Sequence, residues 1–129
     1  MGSNGRLLVG VGVVVALVAG LFLLTPSGIT HAWFVLRERL PSCGVVEHGV
    51  RGGGIPDDAR ACLDDAWGSG AELTVTTPTV EGDPTTTYYR VGGGGLEIFR
   101  DTTADTYGAG AWRRKTCPGA DLEDARAHC

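Results

Sequence analysis

From Leu7 to Leu24 the chain runs without a charge or a polar side chain, LLVGVGVVVALVAGLFLL, and no other feature restricts its fold as strongly. At about 1.5 Å per residue this stretch makes a helix about 27 Å long, close to the thickness of a bilayer core. Its valines and glycines would make a poor helix in water. In lipid every backbone N–H and C=O must be satisfied within the segment, which enforces a helix whatever the propensity. The run predicts a single-pass transmembrane anchor at 7–24, with 1–6 as a cytoplasmic N-terminus and 25–42 as a juxtamembrane linker. Trp33 and Phe34 in that linker suit the membrane–water interface. Two other readings exist for the same segment. A signal peptide cut after Ala32 would have an unusually long apolar core, since about 7–15 residues is ordinary. A lipoprotein would need its cysteine just behind the run, but Arg37, Glu38 and Arg39 intervene before Cys43.

Orientation follows from the cysteines. Arg6 favours an N-terminus inside, while Arg37 and Arg39 pull the other way. All four cysteines lie beyond the apolar run, in a short segment and in even number, which favours disulfides and an oxidising compartment. Residues 43–129 are therefore expected to form an extracytoplasmic domain at the cell membrane. Residues 41–129 carry 14 acids and 8 bases, a net charge of −6, which excludes nucleic acid as an expected partner. Ten of the 11 basic residues are arginine, a bias suggesting a GC-rich bacterial genome and hence a bacterial cell envelope.

Within the domain the hydrophobic period changes twice. Ala59, Cys62, Leu63, Ala66 and Trp67 share one face of a helix predicted over 57–67. Pro56, Asp57 and Asp58 suit its start, and Gly68 is the expected left-handed stop. Then AELTVTTPT, TTTYYRV and LEIFR alternate as strands. Across Gly92–Gly95, Val91 is expected to face Leu96, Arg90 Glu97, Tyr89 Ile98, and Tyr88 Phe99. One face is then apolar and the other holds an ion pair and an aromatic pair, and a slip of one residue would ruin both. Leu73 and Val75 join the apolar face only if the first hairpin closes on a three-residue loop, Val80–Gly82, with Gly82 left-handed. WRRKTC is a candidate fourth strand and ADLEDARAHC a candidate terminal helix. The expected fold is α+β: one helix on an antiparallel meander of three or four strands, with two disulfides and the N-terminal anchor.

Four cysteines allow three connectivities. The expected one joins Cys43 to Cys62 and Cys117 to Cys129, each closing a short loop. A zinc site of Cys43, His48 and Cys62 is the competing use, but no C-x-x-C is present. Glu81, Asp83, Asp101 and Asp105 flank strand ends and form a candidate cation site, calcium being the ion that takes such oxygens. The plainer role for these acids is turn chemistry, in which Asp accepts from its own backbone. Tyr88, Phe99, Arg90, Tyr107 and Trp112 form a candidate ligand or partner face, flanked by Arg113, Arg114 and Lys115 and suited to an envelope protein or a glycan. Alternatively, residues 107–116 fold over this face as a second small core. No G-x-S-x-G, phosphate loop or free thiol is expected, so no catalytic residue, metal or cofactor is assigned.

The succession CGVVEHG, a helix, TVEGDPTTTYY, DTTADTYG and two late cysteines resembles the bacterial domain-of-unknown-function family numbered 4362, found in Gram-positive envelope lipoproteins. The resemblance covers 43–129. Its specific parts are Thr79 with Glu81 to Pro84, and Asp101 with Thr103, Asp105, Tyr107 and Gly108. It departs at the front, where the family has a lipobox cysteine and this chain has the apolar run. The resemblance implies an exported α+β domain and no particular activity. The function expected from the sequence is a non-enzymatic binding or interaction module, with the membrane as its partner through 7–24. The alternatives are an envelope hydrolase using the acids at the strand ends and a protein inhibitor of an extracellular enzyme.

Overall fold

The computed structural model describes residues 25–129, with Val14, Val18, Gly20 and Leu21 before them. Those four apart, the expected anchor at 7–24 lies outside the described residues. Among the described residues no helix is long and apolar enough to cross a membrane. The chain divides into two compact units, 1–36 and 37–129.

The first unit contains helix α1, Pro26–Leu36, where the sequence suggested only a linker. Thr25 caps it, its hydroxyl accepting from Gly28 N at 3.0 Å, and Pro26 occupies the first turn, where a missing N–H is harmless.

The second unit is α+β. A five-stranded mixed sheet, in the order β1-β2-β3-β4-β5, is built from Ser42–Glu47, Ala71–Pro78, Pro84–Gly92, Gly95–Asp101 and Trp112–Pro118. Helix α2, Asp57–Asp65, connects β1 to β2, and helix α3, Leu122–Ala127, follows β5. The expected one helix on a three- or four-stranded antiparallel meander is thus corrected in two respects: α3 packs on the core beside α2, and the sheet is mixed. β1 joins as a fifth strand, parallel to β2, and α2 supplies the crossover that a parallel pair requires. β1 also breaks strict alternation. Cys43 and Val46, three residues apart, both pack against the core, which a regular strand forbids. A shift in register between Ser42 and Val45 resolves this, with Gly44 at φ +112° inside it.

The rest of the sheet follows the expected register. Val91 pairs with Leu96, Arg90 with Glu97, Tyr89 with Ile98 and Tyr88 with Phe99. Leu73 lies opposite Tyr89, which requires the three-residue loop Val80–Gly82, and Gly82 has φ +95°. Thr79 N donates to Asp83 O at 2.8 Å to close that loop. WRRKTC is a strand pairing with β4, and the terminal helix is capped by the Asp121 carboxylate, which accepts from Asp124 N at 2.9 Å.

Ala71, Leu73, Val75, Val91, Leu96 and Cys117 turn one face of the sheet toward Leu63 of α2 and Leu122 and Ala125 of α3. α2 is shorter than the apolar pattern of 57–67. Ala66 and Trp67 still pack on the core from the turns that follow, and the left-handed residue is Gly70 (φ +98°) rather than Gly68. Gly70 and Gly92 approach each other so closely that a Cβ on Gly92 would stand 3.4 Å from Gly70 Cα. Both expected disulfides are formed, Cys43–Cys62 and Cys117–Cys129. The first ties β1 to α2 and the second ties β5 to the chain end. Cys43 and Cys62 are therefore not zinc ligands, and Cys43 has no free thiol to carry a lipid.

Candidate functional site

The sheet face opposite α2 and α3 carries a dense row of polar side chains. Strand alternation places Glu72 of β2, Arg90 of β3 and Glu97 of β4 side by side on it. Arg90 Nη1 donates to Glu97 Oε2 at 2.7 Å, and Arg90 Nη2 to the Glu38 carbonyl at 2.7 Å. Arg90 Nε lies 3.0 Å from Glu72 Oε2, but its N–H is misaligned and makes no hydrogen bond, so this contact is ionic. Arg37 closes one end of the row with a two-pronged contact to Glu72, Nε to Oε2 and Nη2 to Oε1, both at 2.9 Å. Arg114 closes the other, Nε donating to Glu97 Oε1 at 2.6 Å. Planar guanidinium forks opposite carboxylates give the strongest charge-assisted bonds available to side chains. Arg90 is only 8% exposed, so its charge depends on these partners.

Aromatic rings adjoin the row. The Tyr88 and Trp112 rings stack with centroids 6.2 Å apart and planes inclined by 12°. The Arg37 guanidinium stands 5.7 Å from the Tyr88 ring centre, and that of Arg114 stands 5.8 Å from the Phe99 ring centre. Burial pushes the Tyr88 phenol above its ordinary pKa of 10.0, the negative charge of Asp101 adds to the shift, and Arg37 partly opposes it.

Of the five residues read as a partner face, Tyr88 and Trp112 meet, half-buried, and Tyr107 stands apart on an exposed loop. Phe99, 1% exposed, and Arg90 lie within the structure as supports. At the glycine end of the sheet a cleft of about 600 Å³ opens beside Arg90 and Glu97, bounded by Leu40, Gly70, Thr116 and Pro118. Of the basic residues expected to flank the aromatic face, Arg114 does so, while Arg113 and Lys115 lie on the other face of the sheet. Arg37 and Glu72 were not marked by the sequence. Glu72 shares the parity of Arg90 and Glu97, a signal that would have found it. Arg37 reaches the row from 35 residues away, and no local pattern announces it.

The four acids come to one end of the sheet, as the meander required, but three of them are occupied. Asp83 Oδ2 accepts from Thr106 N at 2.8 Å, joining the first hairpin to the 102–111 loop. Asp101 Oδ1 accepts from Thr103 N and its hydroxyl. Asp105 Oδ1 accepts from Tyr107 N and Gly108 N. Glu81 is exposed at the turn tip. Among the described residues no group of three or more His, Cys, Asp or Glu side chains is arranged to hold a metal ion.

No protein-family model, curated protein or solved structure matches the chain.

Proposed function

We propose that this chain is a membrane-anchored, extracytoplasmic interaction module of the bacterial cell envelope. It is not an enzyme, and it presents the Tyr88–Trp112 strip to an envelope protein or glycan. The stacked Tyr88–Trp112 pair carries this reading. It is held by the arginine–glutamate row on a rigid strand surface, and a flat aromatic surface with fixed charges beside it suits stacking against a sugar or an apolar side chain. The two disulfides and the apolar run 7–24 support the location. The turn bonds of the aspartates weigh against the hydrolase, because one oxygen of each already accepts a backbone N–H, leaving fewer lone pairs to take a proton.

The test uses the full chain in nanodiscs, incubated with purified cell-wall glycan and with solubilised envelope proteins. The wild type should bind one of the two, and Trp112→Ala should weaken that binding with the fold intact. Equal binding by both forms defeats the assignment of the face. Protection of the C-terminus from protease added outside intact cells defeats the location.

A further inference from the structure

Arg100 of β4 and Arg113 of β5 are directly opposed across the strands, on the helix-bearing face of the sheet. Like charges in such a position are destabilising. Along the same strands Leu96 and Cys117 are buried in the core, whereas Arg100 and Arg113 are exposed. Neither makes an ion pair or a side-chain hydrogen bond to another described residue. The other arginines of this sheet, Arg90 and Arg114, are both paired with Glu97. A cavity of about 210 Å³ lies between Arg100 and Arg113, walled by Thr102, Asp105 and Ala109. Asp105 brings one negative charge to that wall, and its Oδ1 is already taken by two backbone N–H groups. Lys115, next along the same face, donates to the Cys129 carbonyl. Two cations against one carboxylate leave the cavity positive within a domain of net negative charge.

We propose that this cavity is an anion-binding site for a tetrahedral oxyanion, a phosphate or sulfate group. A carboxylate holds its two oxygens in one plane, whereas a tetrahedral oxyanion directs three or four oxygens in different directions. Two adjacent forks call for an anion with oxygens directed to both. Such a ligand would also remove the repulsion between the two guanidinium groups. This inference deepens the binding-module reading and rests on it, but it uses the other face of the sheet.

The experiment places the full chain in an uncharged maltoside detergent free of phosphate and follows the arginine Nε–Hε resonances. Inorganic phosphate and sulfate should shift the Arg100 and Arg113 signals saturably, and acetate should bind more weakly. Arg100→Gln and Arg113→Gln should each weaken phosphate binding roughly tenfold or more, tenfold being about 1.4 kcal/mol. Arg113→Lys should recover only part, because it keeps the charge and loses the fork. In buffer without anion the Gln variants should melt no lower than the wild type, since they relieve a repulsion. In a second arm, phosphatidylglycerol nanodiscs replace detergent without added phosphate. A shift there makes a lipid headgroup the source, and a shift in detergent alone makes it a soluble or polymer-borne phosphate. Absence of saturable shifts in both arms, or equal phosphate binding by the Gln variants, overturns the site. Because Tyr88 and Trp112 lie on the opposite face, loss of this site leaves partner binding through them intact, so the two readings fail separately.

Discussion

The two faces of the sheet are held together by different physics. Where α2 and α3 cover it, the helix-bearing face is apolar and closed, with Leu63, Leu73, Leu96 and Leu122 essentially without exposure, and one disulfide brings β1 onto α2. Its stability comes from area removed from water. The opposite face spends the same strand positions on Glu72, Arg90 and Glu97, with Phe99 the large apolar side chain buried there. Partly buried ion pairs return little net stability, because desolvation offsets their attraction. They do specify register, since a slip of one residue would set Arg90 against Leu96 or Ile98. One face holds the fold and the other fixes the pairing.

The sharpest way to break that comparison is to empty each face in turn. Phe99→Ala is expected to cost about 3–5 kcal/mol and Leu63→Ala about 2–5 kcal/mol, measured by denaturant midpoints of the full chain. If Phe99→Ala costs under about 1 kcal/mol, the opposite face has no core of its own and the comparison is starker than drawn. The next effect is that of the staple. Serine at both Cys43 and Cys62, which lie 19 residues apart, should cost about 3 kcal/mol. Reduction of the wild type opens Cys117–Cys129 as well and should cost at least as much.

The parts of this architecture that could be read in advance were those where a side-chain period meets a fixed turn. The pairing of β3 with β4 followed from two faces that had to stay consistent, and the loop at Gly82 followed from parity alone. β1 escaped for a physical reason. Its bulge at Gly44 puts Cys43 and Val46 on one face, so SCGVVE shows no period of two, and its partner strand lies 30 residues on. α1 was hidden by the expectation of a linker, although Thr25 and Pro26 are ordinary start signals. In the candidate site, Tyr88 and Phe99 were legible from register, and the aspartates from turn composition. The contacts of Arg37 with Glu72 and of Asp83 with Thr106 depend on tertiary closure, which no local pattern encodes.

A smaller effect sharpens the description of the charged face. Arg90→Met leaves Glu72 and Glu97 facing each other with their shared cation gone, and should cost about 1–3 kcal/mol. Adding Glu72→Gln and Glu97→Gln should recover much of that loss, since the stranded charges disappear. Recovery would show that the row acts through specificity of pairing. A triple variant as unstable as Arg90→Met alone would instead make the row a source of net stability, and the two faces would then be more alike.

The smallest expected effect is a pH dependence confined to the charged face. Burial, and then Asp101, raise the Tyr88 phenol above its ordinary 10.0. The folded protein therefore holds this proton more tightly than the unfolded chain does. The stability this contributes is complete below pH 10.0 and is lost as pH rises through the raised folded value. The quantity to read is a difference between two variants, which isolates this one group. The unfolding free energy of the wild type, less that of Tyr88→Phe, should be flat at neutral pH and fall above pH 10.0. Asp101→Asn should shrink that fall without abolishing it, because burial is the larger cause. A difference that stays level through alkaline pH would mean that the phenol is as well solvated as in the unfolded chain. The Tyr88–Trp112 strip would then be an open surface rather than a half-buried one, and the contrast between the two faces would widen.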